Sequence, residues 1–231
     1  TYLALWLLNQ KNLRYSYRIV FIPETIGSIT YLSFNHNYMK KNVIAGFNVS
    51  CVGDDRSYSY LPSRNGNTIS DKVAKHVLKY IAPNYKSYSW LDRGSDERQY
   101  CAPGIDLPIA SILRTKYGEY PEYHTSLDNF KFVTLKGLSG GFKVAKKSIE
   151  NLIEKIIPKS KVLCEPQLSK KGLYPTISSK NSKHFSRDLI NFLQYSDGTN
   201  DLNDISKIIN INMTKATAYK DLLLKHKLID C

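Results

Sequence analysis

Residues 43–52, VIAGFNVSCV, the turn Gly53-Asp54-Asp55 after them, and residues 68–82, TISDKVAKHVLKYIA, decide the fold. The first stretch is apolar on both faces, as in a strand buried inside a sheet. The second carries apolar positions at helical spacing behind a Ser/Thr start. Upstream, residues 15–22 (YSYRIVFI) are β-branched and aromatic and stop at Pro23, which predicts a central strand followed by a helix from Ile26 to Asn35. Strand, helix, strand, helix is a βαβ layout. Downstream, Tyr85–Trp90 and Leu107–Leu113 read as further strands on either side of the loop Asp92–Asp106. A long helix over Gly137–Ile157 carries an apolar stripe of Phe142, Ala145, Ile149, Leu152, Ile153 and Ile156. The expectation is an α/β domain over residues 1–158, with a parallel-rich mixed sheet and flanking helices.

The pattern changes at Pro158. Residues 159–182 are rich in Lys, Ser and Pro without a period and read as a linker. Within 183–231, Phe185, Leu189, Phe192 and Leu193 form one helical stripe, Leu202, Ile205, Ile208 and Ile209 a second, and Thr214–Lys227 a third helix. Three short helices with a turn between the last two form a helix-turn-helix, and Leu228-Ile229-Asp230 opens a wing strand, which predicts a small winged-helix domain.

Of the 231 residues, 42% are hydrophobic and 23% charged, which excludes a disordered chain, and no fixed-period repeat points to a solenoid. The net charge of +13 raises the question of a polyanion partner. The excess is diffuse: twelve basic and seven acidic residues follow position 158, twenty-one and thirteen precede it. Solvated lysine-rich faces account for it. Cys51, Cys101, Cys164 and Cys231 lie far apart with no C-x-x-C pair, which argues against a zinc knuckle or disulfide scaffold and for a reducing cytoplasm. No apolar run approaches the length of a membrane span, so no membrane partner is expected. The opening TYLALWLLN lacks the features of a signal peptide and reads as the last turns of a helix. With no initiator Met, the chain is expected to be the C-terminal part of a longer protein.

In open parallel sheets the ligand site lies beyond the carboxyl ends of the strands. Glu24 follows the first predicted strand, Asp54 and Asp55 the second, Asp96 and Glu97 sit in the loop before the fourth, and His124 lies in the loop after it. Carboxylates gathered with a histidine repel one another unless a cation or proton is present.

Three segments carry a family resemblance: residues 14–28 (RYSYRIVFIPETIGS), 94–108 (GSDERQYCAPGIDLP) and 118–129 (GEYPEYHTSLDN). They resemble bacterial aminopeptidase-like proteins encoded with polysaccharide-biosynthesis genes. Those are relatives of the co-catalytic zinc aminopeptidases and glutaminyl cyclases, and usually end in a winged helix. The resemblance implies a zinc-aminopeptidase-like fold and zinc as cofactor. It makes Glu24 the general base, places Thr25 where a ligand carboxylate would stand, gives Ser95 and Asp96 as site-lining residues beside Glu97, and makes His124 a metal ligand. The VSCVGD segment resembles a strand end that carries an Asp ligand; Ser50 stands at the aligned position, and the first acid follows at Asp54.

The implied chemistry is attack of a metal-activated water on an amide carbonyl, with Glu24 carrying the proton. Glu97, Glu119 or Glu122 would hold the substrate's ammonium. The expected substrate is peptide-like or an aminoacylated small molecule, the expected role lies in surface polysaccharide biosynthesis, and a homo-oligomer is possible. This chain alone is expected to be inactive, since too few ligands remain to close a coordination sphere. Plainer roles stand beside these: Glu24 as a helix cap, Asp96 and Glu97 paired with Arg93, Arg98 or Arg114, Asp54 as a turn residue, and Cys51 as a small buried hydrophobe. Two other functions compete, a regulator whose winged helix binds DNA and a catalytically inactive scaffold. The third terminal helix offers Lys215, Lys220, Lys225 and Lys227, suited to weak nonspecific contact with phosphates.

Overall fold

The strand Ile109–Leu113, buried at all five positions, lies inside the sheet of the first of two units. The computed structural model describes residues 1–11, 13, 15–154, 156–173 and 180–231, and the chain divides at Glu154/Lys155. In chain order the first unit runs α1 (Tyr2–Leu8), α2 (Ile26–Asn42), β1 (Gly46–Val49), β2 (Ser59–Leu61), α3 (Ile69–Ile81), β3 (Lys86–Ser87), α4 (Glu97–Tyr100), β4 (Ile109–Leu113) and α5 (Leu135–Glu154). The strand order is β1-β4-β2-β3. β1 is parallel to β4 and β3 to β2, while β2 runs antiparallel to β4. The sheet is therefore mixed, as expected.

α3 starts where the sequence places it because Thr68 and Asp71 form a reciprocal capping box. Asp71 is fully buried and also accepts from the Tyr60 hydroxyl at 2.7 Å and the Ser63 hydroxyl at 2.6 Å. Burial pushes its carboxyl up, but the hydrogen bonds from Ser63, Thr68 and Tyr60 outweigh that and hold it below the usual range. Val73, Ala74 and Val77 of α3 and Val144, Ala145 and Ile149 of α5 are buried where the two helices pack. α5 approaches the turn after β1 closely: a Cβ at Gly137 would stand 1.9 Å from the Gly53 carbonyl oxygen, so only glycine fits there.

Residues 15–22 form no strand, which corrects the expected central strand. β1 ends the sheet order and pairs with β4 alone among the described residues. Ile19 and Phe21 face solvent, and Arg18 reaches from this segment to the Tyr31 hydroxyl and the Tyr38 ring of α2. β-Propensity without a neighbouring strand does not make a strand.

The second unit comprises β5 (Lys159–Ser160), a 3-10 turn at Leu168–Lys171, α6 (Lys180–Gln194), α7 (Leu202–Ile208), α8 (Met213–Lys225) and β6 (Ile229–Asp230). β5 and β6 pair antiparallel, with Ser160 opposite Ile229. Leu189, Phe192, Ile205, Leu223 and Leu228 form the core, and Leu168 and Leu173 join it. The segment read as a linker thus supplies, as far as residue 173, a strand and two core side chains; residues 174–179 lie outside the described residues. Three helices on a short strand pair make a winged helix. No helix among the described residues is long and apolar enough to cross a membrane.

Candidate functional site

Because β1 and β4 are parallel, the chain leaves both at one edge of the sheet, through residues 50–54 and from residue 114 onward. Asp54 clasps these two exits. Its Oδ1 accepts the Thr115 amide at 2.8 Å, and its Oδ2 accepts the Thr115 hydroxyl at 2.6 Å and the Arg56 amide at 2.9 Å. The residue is 3% exposed. The structure therefore makes Asp54 a brace between loops, correcting its expected place as a metal ligand: turn chemistry after a buried strand has drawn the carboxylate inward.

Glu97 is likewise corrected from a site-lining or ammonium-binding residue to an internal one. It is 0% exposed at the start of α4. Its Oε1 accepts the Gly94 and Ser95 amides, each at 2.9 Å, and the Tyr117 hydroxyl at 2.7 Å. Its Oε2 accepts from Asn48 of β1 at 2.9 Å and Ser111 of β4 at 3.2 Å. Burial raises its carboxyl, yet the bonds from Tyr117, Ser95 and Gly94 win and hold it below the usual range. Burial and the facing Glu97 push the Tyr117 phenol well up. Ser95 is also buried, with its amide on Glu97.

This anchored turn carries Asp96 and Arg98 toward the start of α2. Asp96 Oδ1 accepts the Thr25 amide at 2.7 Å and the Ser28 hydroxyl at 2.6 Å. Arg98 donates to the Thr25 hydroxyl at 2.6 Å, and that hydroxyl donates to Glu24 Oε2 at 2.6 Å. Glu24 Oε1 lies 3.7 Å from Arg98, and its side chain is 55% exposed. Glu24 makes no side-chain cap of α2; Thr25 occupies the cap position, at φ +59°. A β-branched residue with positive φ is an outlier that its surroundings must hold in place, here the Asp96 and Arg98 bonds.

His124 also has positive φ, +59°, and its ring stacks on Tyr123 at 3.9 Å between centroids. Among the described residues no hydrogen-bond partner reaches the imidazole, which is exposed. Burial raises the Tyr123 phenol, nearby Cys51 and Glu24 raise it further, and Arg98 opposes them. Tyr123 thus feels the charge of the Glu24–Arg98 pair and carries the His124 ring on its face. Glu122 is held by Arg56 through two bonds of 2.6 and 2.9 Å, which takes up the charge that was to bind an ammonium. Glu119 is exposed and stands beside Tyr88.

Next to His124 is a cavity of about 490 Å³, lined by Cys51, Tyr120, Tyr123, Asp128, Phe132 and Leu138 among others. Tyr120 stacks on Phe132 at 4.8 Å and meets Tyr123 edge-on at 5.6 Å, and its hydroxyl points at Cys51 Sγ 3.6 Å away. Sequence reasoning missed these aromatic residues. The aromatic run Tyr120, Tyr123, Phe130 and Phe132 around His124 was the available signal.

The donor set does not fit zinc. Among the described residues no group of three or more His, Cys, Asp or Glu side chains is placed to hold a metal ion. Asp54, Glu97 and Glu122 are committed to internal partners, and of the two expected metal ligands, Asp54 and His124, His124 alone has open donor atoms. One imidazole does not close a tetrahedral sphere.

Residues 1–155 match the family described as a domain of unknown function (DUF4910), and residues 156–231 match a winged helix-turn-helix family. A Clostridium acetobutylicum protein, named for polysaccharide biosynthesis with an aminopeptidase-like domain, is 36% identical over 228 residues, 96% of this chain and 51% of that protein. A crystal structure from Clostridium acetobutylicum, named as that of a peptidase, superposes with a TM-score of 0.65 at 33% identity, over 99% of this chain and 51% of that one. The chain spans about half the length of these relatives.

Proposed function

Taking as premise that the chain belongs, through residues 1–155, to the family described as a domain of unknown function (DUF4910), we propose that it is a peptidase-like hydrolase domain acting on an amide of a peptide-like or aminoacylated substrate, in the service of surface polysaccharide biosynthesis. One observation carries the reading: of the carboxylates the sequence puts forward around the sheet edge, Glu24 stays exposed, with Thr25 and Arg98 fixing its oxygens, while the exposed His124 imidazole on Tyr123 has no internal partner. The names of the relatives support the same class of chemistry.

In this reading Glu24 takes a proton from the water that attacks the carbonyl and returns it to the leaving amine. The Thr25 hydroxyl fixes one carboxylate oxygen, and Arg98, bonded to that hydroxyl, fixes Thr25. Thr25, aligned with a ligand carboxylate, serves here to orient the base. Asp96 holds the backbone of the same turn. His124, stacked on Tyr123, lines the opposite side of the carbonyl. Zinc dependence would need donors beyond those described, so no step is routed through a metal.

Glu24→Gln keeps the shape and removes the base. Release of amine from aminoacyl amides should fall about 100-fold or more, with the thermal midpoint unchanged. Retained turnover would remove Glu24 from the chemistry. A second reading, a catalytically inactive scaffold, is favoured by the commitment of Asp54, Glu97 and Glu122 to structural bonds. Wild-type protein that hydrolyses no amide would support it.

A further inference from the structure

β1 stands at the edge of the sheet with the sequence of an interior strand. From Val43 to Gly53 the chain carries no charged residue and no proline, the devices that keep a free edge from pairing. Alternation along the parallel ladder turns Gly46 and Asn48 toward β4, the Gly46 amide donating to the Pro108 carbonyl at 3.1 Å. Phe47 and Val49 then present their main-chain amides and carbonyls outward, and among the described residues no hydrogen bond reaches them.

α2, which leads into β1, is apolar on both faces. One face, through Leu32 and Met39, packs on Cys101, Leu107 and Ile109. The other carries Ile26, Ile29, Phe34 and Tyr38, each more than half exposed. Between Ile26 and Gly53 only Lys40 and Lys41 are charged. A helix that is apolar all round is one that is covered all round. Residues 15–22, tied to α2 through Arg18, have the composition of a strand and no strand beside them, with Ile19 and Phe21 in solvent. A free edge offering main-chain bonds beside an uncharged apolar face suits a polypeptide that adds a strand. A small ligand would leave the ladder unpaired. The two Clostridium acetobutylicum relatives match this chain over 51% of their length, so each has as much polypeptide again to set against such a surface.

We propose that the β1 edge and the outer face of α2 are a docking surface for a polypeptide equivalent to the unmatched half of those relatives, which adds a strand to β1 and lays apolar side chains over Ile26, Ile29 and Phe34. The surface stands independently of the hydrolase reading.

Sedimentation of the whole chain mixed with the unmatched half of the Clostridium acetobutylicum relative tests this. The relative's own matched half, mixed with the same polypeptide, is the control for a probe that folds. A one-to-one complex should form, and hydrogen exchange of the Phe47 and Val49 amides should slow about tenfold or more within it. Phe34→Glu, at an exposed position, should weaken the complex about tenfold or more by burying a charge without a partner, with the thermal midpoint of the chain unchanged. Val49→Pro removes an outward amide at the kind of edge position that tolerates proline and should weaken the complex by a similar factor. Leu163→Glu, at a fully exposed residue of the second unit, should leave it intact. No complex where the control forms one, unaltered affinity in both Phe34→Glu and Val49→Pro, or a complex in which the Phe47 and Val49 amides exchange as before overturns the proposal. So does a dimer of this chain that already protects those amides, which would make a second copy the occupant.

Discussion

Replacing Glu97 by glutamine probes the joint that sets the whole rim. The carboxylate is fully buried, and its Oε1 alone holds two backbone amides and the Tyr117 hydroxyl. Glutamine keeps one oxygen for those three donors but loses the charge that strengthens them, at about 1 kcal/mol each. Its NH2 group would face Asn48 and Ser111, both of which can turn to present an acceptor. The expected cost of Glu97→Gln is therefore about 3 kcal/mol, and of Glu97→Ala about 5 kcal/mol, because alanine leaves two backbone amides unpaired and opens a cavity. Both tryptophans, Trp6 and Trp90, lie in the first unit, so urea unfolding followed by their fluorescence reports on that unit. The pH arm has a defined sign. The folded carboxyl lies below its usual 4.5, so its stabilisation is complete above that value and is lost as pH falls through the lower, folded value. Glu97→Gln should lack this acid-dependent component. A variant within about 0.5 kcal/mol of wild type at pH 7, with the same acid limb, would refute the assignment of Glu97 as the anchor.

Two further outcomes follow from the geometry. Elemental analysis of the purified chain should find well under one zinc per molecule, unchanged by His124→Ala; stoichiometric zinc lost in that variant would show a closed site around the imidazole and contradict the reading that it is a lone donor. Lys215 and Lys225 are exposed on α8, while Lys220 is drawn to Asp221 at 2.7 Å. Binding to duplex DNA should accordingly be weak and steeply salt-dependent, each Lys→Ala change at 215 or 225 reducing the log–log salt slope by about one; tight, sequence-selective binding would instead make the chain a regulator.

Elements with a strong period were legible in the sequence. The stretch 68–82 gave α3 with its cap, 107–113 contains β4, and the stripe through Ala145, Ile149 and Leu152 gave α5. Short elements were not. β2 is three residues, Ser59–Leu61, in a Ser–Tyr run with no β-branched side chain, and β5 is a Lys–Ser pair that only its partner Ile229–Asp230 makes a strand. Residues 15–22 failed for the opposite reason: the composition is that of a strand, but no described strand lies beside it. At the site, strand ends and motif resemblance both put forward Glu24, Asp96 and His124, and the structure gathers Glu24 and Asp96 on the two sides of Thr25. Sequence could not separate them from Asp54 and Glu97, because an acid after a strand or in a loop reads alike whether it faces solvent or a neighbouring loop's donors. Asp128 and its aromatic neighbours were missed since aromatic residues near a sheet edge usually pack.

The central claim is that Glu24 and His124 face one bound amide. A crystal structure of Glu24→Gln with an amide ligand tests it most directly. The account predicts the amide carbonyl at the rim, with the residue 24 side chain within hydrogen-bond reach and the imidazole of His124 on its other side. A ligand bound away from this rim, or an imidazole turned toward the far side of the sheet, would contradict it.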